Sequence, residues 1–323
     1  MYYVKTKKKE MKSENPLVSI EVCTYNQEEI IAQTLDSILQ QNIDFPIEIV
    51  VGEDCSTDNT RKICIDYKNR YPDVIQLILH EKNQGMMKNY KSVIEACKGK
   101  YIAQCGGDDY WHHPDKLKLQ VDFLENNPDY GLVHSATNIL EIKTGEIRTS
   151  QVTNIPTGSV YRSLLLKNHI WALTVMFRRE LLQYINIDNF IQNGFLMEDY
   201  PMWLEFSNHT KFHWINIPLT TYRKNTVSAS YFSDYKKLIE FNDNVQLIKK
   251  YYFSKYPENI TEKEIDQLYV KKRLSLAIIH DHYQDIKYFA KLLDSSRLKQ
   301  RLRRFILSNR ILYEILYKGT SKD

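Results

Sequence analysis

The 323-residue chain predicts an α/β fold: a mostly parallel sheet flanked by helices, with a helical extension at the C-terminal end. Three observations predict it. Short apolar runs alternate with amphipathic stretches from Leu17 onward, the pattern of parallel strands joined by crossover helices. Polar clusters follow those runs at Thr24-Tyr25-Asn26, Glu53-Asp54 and Gly106-Gly107-Asp108-Asp109, the strand ends where such sheets take their ligands. After about Tyr231 the strand pattern stops, and long Leu/Ile/Tyr-rich helical stretches take over.

Residues 17–22 read as a strand, and residues 28–40 as an amphipathic helix carrying Ile30, Ile31, Leu35, Ile38 and Leu39. Residues 47–51 are a short buried strand, and Ser56 and Asp58 are cap candidates for a helix over 63–70. Residues 74–80 form a third strand, with a helix following to about Cys97. Residues 101–105 form a fourth strand, and 115–125 another helix. The middle is more mixed: a strand at 171–178, a helix at 199–209, and a strand at 212–217 that Pro218 separates from an edge segment at 219–223. The organisation read from this is a basic extension at 1–15, one α/β domain at 16–230 and a helical region at 231–323.

With 43% hydrophobic residues, a chain of this length builds one large core and a smaller appendage. A formal charge of +4, from 44 basic and 40 acidic residues, is too balanced for a protein that coats nucleic acid. The five cysteines are odd in number and show no C-x-x-C pair, which reads as reduced thiols in the cytoplasm or on the cytoplasmic face of a membrane. No apolar stretch approaches about 18 residues, so no spanning helix is expected.

Taken together, the clusters resemble the family 2 glycosyltransferases of the GT-A fold. The stretches that carry the resemblance are Val18 to Asn26, Glu48 to Asp58, Asn83-Gln-Gly85, Lys100 to Ala103, and Gly107-Asp-Asp-Tyr-Trp111 with Pro114, Lys116 and Leu117. They cover roughly residues 16 to 225 and occur in the family's order. The resemblance implies a nucleotide-sugar donor, a hydroxyl acceptor on a glycan, lipid or protein, a divalent metal (Mn2+ or Mg2+) and inversion at the anomeric carbon.

It also implies roles residue by residue. Thr24, Tyr25 and Asn26, with Asp54, match positions that hold the nucleotide, and Asp54 can accept the imide N–H of uracil. A cap or turn aspartate is the bland alternative for Asp54. Asn83 and Gly85 match a turn that lets the backbone approach the donor, and an ordinary turn explains them as well. Asp108 and Asp109 match the second half of a D-x-D-D loop, with Asp109 as the metal ligand, although Gly106 stands where the first aspartate is usual. A cation held there offsets the charge that a departing diphosphate accumulates. Trp111 reads either as a wall of the sugar pocket or as a core tryptophan.

Glu198-Asp199, followed by Trp203, matches the acceptor-side pair, with Asp199 as the general base; a plain helix cap is the alternative. Tyr222-Arg223 and Ser228 match a further segment in which Asn225 replaces a histidine and Arg223 can neutralise phosphate. A catalytically silent sugar-nucleotide binder is the competing functional reading, since Gly106 and Asn225 both depart from the pattern. Near the end, Leu298, Leu302, Phe305, Ile306, Leu312 and Leu316 recur at helical spacing among Arg297, Arg301, Arg304 and Arg310. Such a helix packs on the protein, pairs two subunits or lies on an anionic membrane surface.

Overall fold

The computed structural model describes residues 15–150, 155–224, 234–294 and 298–314, with backbone only at 298–300, 302 and 303. The basic extension up to residue 14, the boundary expected near 230, Asn225, Ser228, Arg297 and Leu316 lie outside the described residues.

The chain divides into two units. The first comprises residues 1–161, 169–191 and 197–224, and the second 162–168, 192–196 and 225–323. The first unit opens with β1 (Val18–Thr24), α1 (Ile31–Leu39), β2 (Ile47–Glu53), α2 (Thr60–Arg70), β3 (Ile75–Leu79), α3 (Met86–Ala96), β4 (Tyr101–Gln104) and α4 (Lys116–Asn126). There follow β5 (Tyr130–Glu141), β6 (Glu146–Thr149), β7 (Met176–Arg178), α6 (Ile187–Gln192), α7 (Asp199–Phe206) and β8 (Lys211–Lys224), while α5 (Tyr161–Leu166), between β6 and β7 in sequence, belongs to the second unit from residue 162 on. The sheet runs β3-β2-β1-β4-β7-β5-β6, with β8 on the other side of β5. β3, β2, β1 and β4 are parallel, whereas β7 is antiparallel to both β4 and β5. This is the GT-A fold.

β1 is buried on both faces: Val18, Ile20 and Val22 on one face are fully buried among Ile31, Leu35, Ile38, Ile49 and Ala103, and Ser19 and Glu21 are buried on the other. Burying each such apolar side chain is worth about 1.5–3 kcal/mol. Because the four strands are parallel, their carboxyl ends share one edge, and Thr24, Glu53, Leu79 and Gln104 stand on it.

Three expectations need correction. The strand expected over 171–178 is only Met176–Arg178, because Ala172–Thr174 forms a 3₁₀ turn in which the Thr174 hydroxyl donates to the Trp171 carbonyl at 2.7 Å. Residues 212–223 are one strand, not two segments. Pro218 falls where the register against β5 slips, Ser135 facing Ile215 and Ala136 facing Pro218, so its missing N–H interrupts no regular pair. β5 and β6 are not expected from the sequence pattern: β5 buries His134, Ser135 and Thr137 among its apolar residues, which erases the apolar signal of a buried strand.

The second unit is built on α8 (Tyr235–Lys255), α9 (Glu262–Ile279), α10 (Tyr283–Leu292), α11 (Leu298–Ser308) and α12 (Arg310–Tyr313). Asp234 caps α8 by accepting the amides of Lys236 and Lys237, and Thr261 and Glu264 cap α9 reciprocally. Leu307 and Tyr313 are buried with Leu274, Ala277, Ile286 and Phe289, so the terminal helices pack on α9 and α10. Phe305 stays 61% exposed and Ile311 70%.

Candidate active site

The loops after β1 and β2 are laced together by backbone amides. The Asn26 amide donates to Ser56 Oγ at 3.0 Å, and Asn26 Oδ1 accepts the Thr57 amide at 2.8 Å. The Gln27 amide donates to Thr60 Oγ1 and the Glu28 amide to Asp58 Oδ2. Asn26 takes a left-handed φ of 51°, a conformation asparagine tolerates better than most residues. Thr24 is buried and its hydroxyl donates to Gln27 Oε1 at 2.6 Å, whereas Tyr25 is 43% exposed. A ring presented to solvent from a rigid loop is available for stacking on a base.

Asp54, Asn83 and Gly85 form one unit. Asp54 Oδ1 accepts the Gln84 amide at 2.7 Å, and Oδ2 accepts the Gly85 amide at 2.9 Å. Asn83 Nδ2 donates in return to the Asp54 carbonyl at 3.1 Å. Gly85 sits at φ +83°, which disfavours any side chain there. The turn at the foot of α3 is thus clamped to the end of β2, and each Asp54 oxygen keeps a second lone pair.

The acidic loop follows β4. Gly107 must be glycine, because a Cβ there would meet the Cys23 carbonyl at 2.8 Å. A Cβ built on Gly106 would lie 2.9 Å from Asp108 Oδ1 and 3.8 Å from Asp109 Oδ2, so both carboxylates border the space above this glycine. Thr34 Oγ1, on α1, lies 3.0 Å from the Gly107 carbonyl and 2.6 Å from that of Asp109. From β8, the Arg223 amide donates to Asp109 Oδ1 at 2.9 Å, and the guanidinium donates to the Asp108 carbonyl and to Gln33 Oε1. Burial raises the Asp109 carboxyl well above its usual range; the neighbouring Asp108 adds to the rise, and Arg223 opposes it. Two crowded carboxylates with one neighbouring guanidinium are a donor set for a hard cation. Among the described residues no group of three or more His, Cys, Asp or Glu side chains converges to hold a metal alone.

Arg223 lies near the acidic loop as expected, where one of its guanidinium donors holds the Asp108 carbonyl and another holds Gln33 of α1. Trp111 resolves to the core: it is 3% exposed, its indole N–H donates to the Leu173 carbonyl at 3.2 Å, and the Lys116 ammonium lies 4.0 Å from its ring centre. A buried indole held in this way fits the core alternative. The Lys116 amine, fully buried with Gln120 Oε1 at 2.7 Å, is pulled down to about 7 by burial.

Glu198 and Asp199 open α7, and both are half-buried. Asp199 Oδ1 accepts the Tyr200 amide at 2.7 Å. Burial raises Asp199 to about 6 and Glu198 to about 8, the charge of Asp199 adding to the rise at Glu198. Of the two, Asp199 ionises first and is charged at neutral pH. Sequence reasoning missed what surrounds them. Glu21, buried in the middle of β1, is raised to about 7 by burial, and its charge contributes to the shift at Glu198. Tyr90 of α3 accepts from Gln104 Nε2 at 3.0 Å and donates to Met202 Sδ of α7 at 3.2 Å, tying α3 and β4 to that helix. The signal for Glu21 was present: an ionisable residue between Ile20 and Val22 in a central strand.

Comparison with known proteins gives a consistent result. The family model described as Glycosyl transferase family 2 matches residues 19–198. TuaG of Bacillus subtilis, whose name assigns it to teichuronic acid biosynthesis as a glycosyltransferase, is 29% identical over 174 residues, 54% of this chain and 67% of TuaG. Among solved structures, S. aureus TarS (residues 1–349) in complex with UDP-GlcNAc superposes with a TM-score of 0.57 at 16% identity, covering 94% of this chain and 92% of that one. The mannosyltransferase PcManGT from Pyrobaculum calidifontis, in complex with GDP-Man and Mn2+, does so with a TM-score of 0.51 at 16% identity, covering 95% and 88%. The chain spans about half the length of the first curated relatives it matches, 47% for mycobacterial proteins 34% identical to it. Because the family model takes in more than half of the chain, and its matched span runs from β1 to the Glu198 that precedes α7, this chain belongs to glycosyl transferase family 2.

Proposed function

We propose that this protein is an inverting glycosyltransferase. It moves a hexosyl or N-acetylhexosaminyl group from a nucleoside-diphosphate sugar, UDP-linked, to a hydroxyl acceptor in surface polysaccharide or glycoconjugate synthesis. The observation that carries the reading is that the α/β unit holds two acidic stations. One is Asp108–Asp109 at the carboxyl end of a parallel strand, and the other is Asp199, whose raised carboxyl is ionised at neutral pH yet basic enough to take a proton. The acceptor oxygen attacks the anomeric carbon as the bond to the diphosphate oxygen breaks. The hydroxyl proton passes to Asp199, and the bonding pair leaves with the diphosphate.

Tyr25 stacks on the base, the Asp54–Gly85 clamp presents a carboxylate and backbone to the nucleotide, and Arg223 keeps the acidic loop in place. Asp109, with Asp108 beside it, would hold a divalent cation that neutralises the diphosphate as it departs. The Mn2+ in the structure of PcManGT supports that assignment, and the UDP-GlcNAc in that of TarS supports a uridine donor. The teichuronic acid relative supports a surface glycan as product. Five unpaired thiols support a cytoplasmic setting. Exposed Phe305 and Ile311, near Arg301 and Arg310, support peripheral membrane contact or self-association through the terminal helices. No helix among the described residues is long and apolar enough to cross a membrane.

The test is release of nucleoside diphosphate from a panel of UDP-, GDP- and dTDP-sugars with Mn2+ or Mg2+, followed by transfer to cell-envelope extracts. UDP release and acceptor labelling are the expected result. Tight donor binding with neither release nor transfer would overturn the reading in favour of a silent binder.

A further inference from the structure

The second unit contains a cavity of about 490 Å³, and every residue that lines it belongs to that unit. Its size falls in the range of small-molecule sites, roughly 300–1,000 Å³. The walls are apolar where Phe241, Val245 and Leu268 face in, and three lysines, Lys167, Lys249 and Lys272, line it with no carboxylate among the lining residues.

Two of the lining groups are poorly provided for. Lys249 is 8% exposed, and its ammonium donates to the Leu166 carbonyl at 2.9 Å without an ion pair. Asn242 is also 8% exposed, and its Nδ2 has no hydrogen-bond partner. Burying an ammonium without a counter-charge is costly, and so is burying an amide donor without an acceptor. Burial accordingly pulls the Lys249 amine down to about 8. The carboxylates nearby are engaged elsewhere: Asp243 with Arg273 and Tyr269, Asp266 with Lys250 and Gln246.

We infer that this cavity binds an amphiphilic phosphate monoester, its dianionic head taken by Lys249 with Lys272, its first oxygens met by Asn242, and its alkyl or prenyl chain lodged against Phe241, Val245 and Leu268. A phosphate monoester supplies what the site lacks: up to two negative charges for Lys249 and Lys272, acceptor oxygens for the idle amide, and apolar surface for the walls. A sugar or a nucleobase would leave Lys249 uncompensated. A simple inorganic anion would leave the apolar walls wet. The inference concerns the helical unit alone and stands whether or not the transfer reading holds.

Calorimetric titration of the full-length protein with n-decyl phosphate, below its micelle concentration and with saturating UDP present, tests it. Saturable binding of one molecule per chain is expected, at least about tenfold tighter than inorganic phosphate or decanol. Lys249→Gln should weaken it by about tenfold or more, the cost of a lost charged hydrogen bond. Lys272→Glu, at an exposed position that does not threaten folding, should weaken it by several-fold. Circular dichroism and the thermal unfolding of each variant report that the chain is still folded. Absence of saturable binding to decyl phosphate, equal affinity for inorganic phosphate, or affinity unchanged in the Lys272→Glu variant would each overturn the assignment.

Discussion

The backbone amide of Arg223, on the last strand of the sheet, donates to Asp109 Oδ1 at 2.9 Å across 114 residues of sequence. The main-chain donor fixes the Asp109 carboxylate to β8, and the Arg223 side chain holds the rest of the loop. The Arg223 guanidinium closes the same loop through the Asp108 carbonyl and lies 4.6 Å from the centre of the Tyr110 ring. The acidic loop is therefore built by β8 as much as by its own Gly-Gly-Asp-Asp sequence. Arg223→Ala should lower turnover by loosening the loop, while Arg223→Lys, which keeps a charge but loses the fork, should restore only part of it. Equal turnover in all three proteins would mean that the loop holds itself.

Asp109→Ala should cut donor turnover by orders of magnitude and weaken donor binding, and excess chelator should do the same to the native protein. Mn2+ or Mg2+ added back should rescue the chelated native protein but not the variant. Native activity that persists in excess chelator would remove the metal from the reaction.

For Asp54, replacement by Ala deletes both the proposed uracil acceptor and the anchor of the Gln84–Gly85 turn. The loss in donor affinity should therefore be at the upper end of the about 1.5–3 kcal/mol expected for a charged hydrogen bond. Titration of donor against the native and variant proteins measures it. Unchanged affinity would place the nucleotide elsewhere.

The pH dependence follows from the order in which the α7 pair ionises. Asp199, raised to about 6, must be charged to accept a proton, so turnover should rise as pH climbs through about 6. Glu198, raised to about 8, is still protonated over that limb, so Glu198→Gln should leave its midpoint in place. Asp199→Asn should lower turnover by about 10²–10⁴ with donor affinity intact, as expected for a lost general base. A pH–rate profile of each variant decides the assignment; transfer at the native rate by Asp199→Asn would make another residue the base.

Glu21 makes a prediction about stability. Its folded carboxyl is raised to about 7, above the ordinary value of 4.5, so the folded chain holds a proton that the unfolded chain releases earlier. The native protein therefore loses stability from this group as pH rises from about 4.5 through about 7. Glu21→Gln has no such proton to lose. Its Tm relative to native should rise with pH across this interval, and parallel Tm curves for the two proteins would show that Glu21 is already compensated.

Much of this was readable before any coordinates. The alternation of apolar runs and amphipathic stretches determined β1 to β4 and α1 to α4, because a strand buried on both faces and a helix with one apolar face leave distinct periodicities. The polar clusters at the strand ends determined where ligands meet the sheet, since parallel strands present all their carboxyl ends on one edge. What the sequence could not determine depends on partners distant along the chain. β5 carries buried polar residues that only its neighbours satisfy, as the Thr137 and Thr220 hydroxyls do for each other at 2.8 Å. Trp111 went to the core because Lys116 sits over its ring and the Leu173 carbonyl takes its indole N–H. Asp54 became a clamp because the Asn83–Gly85 turn folds back onto it from 30 residues away. The lysines of the helical unit look like ordinary solvated charge in sequence. The tertiary structure buries Lys249 without a counter-charge, because burial and pairing are properties of packed surfaces and not of any local run of residues.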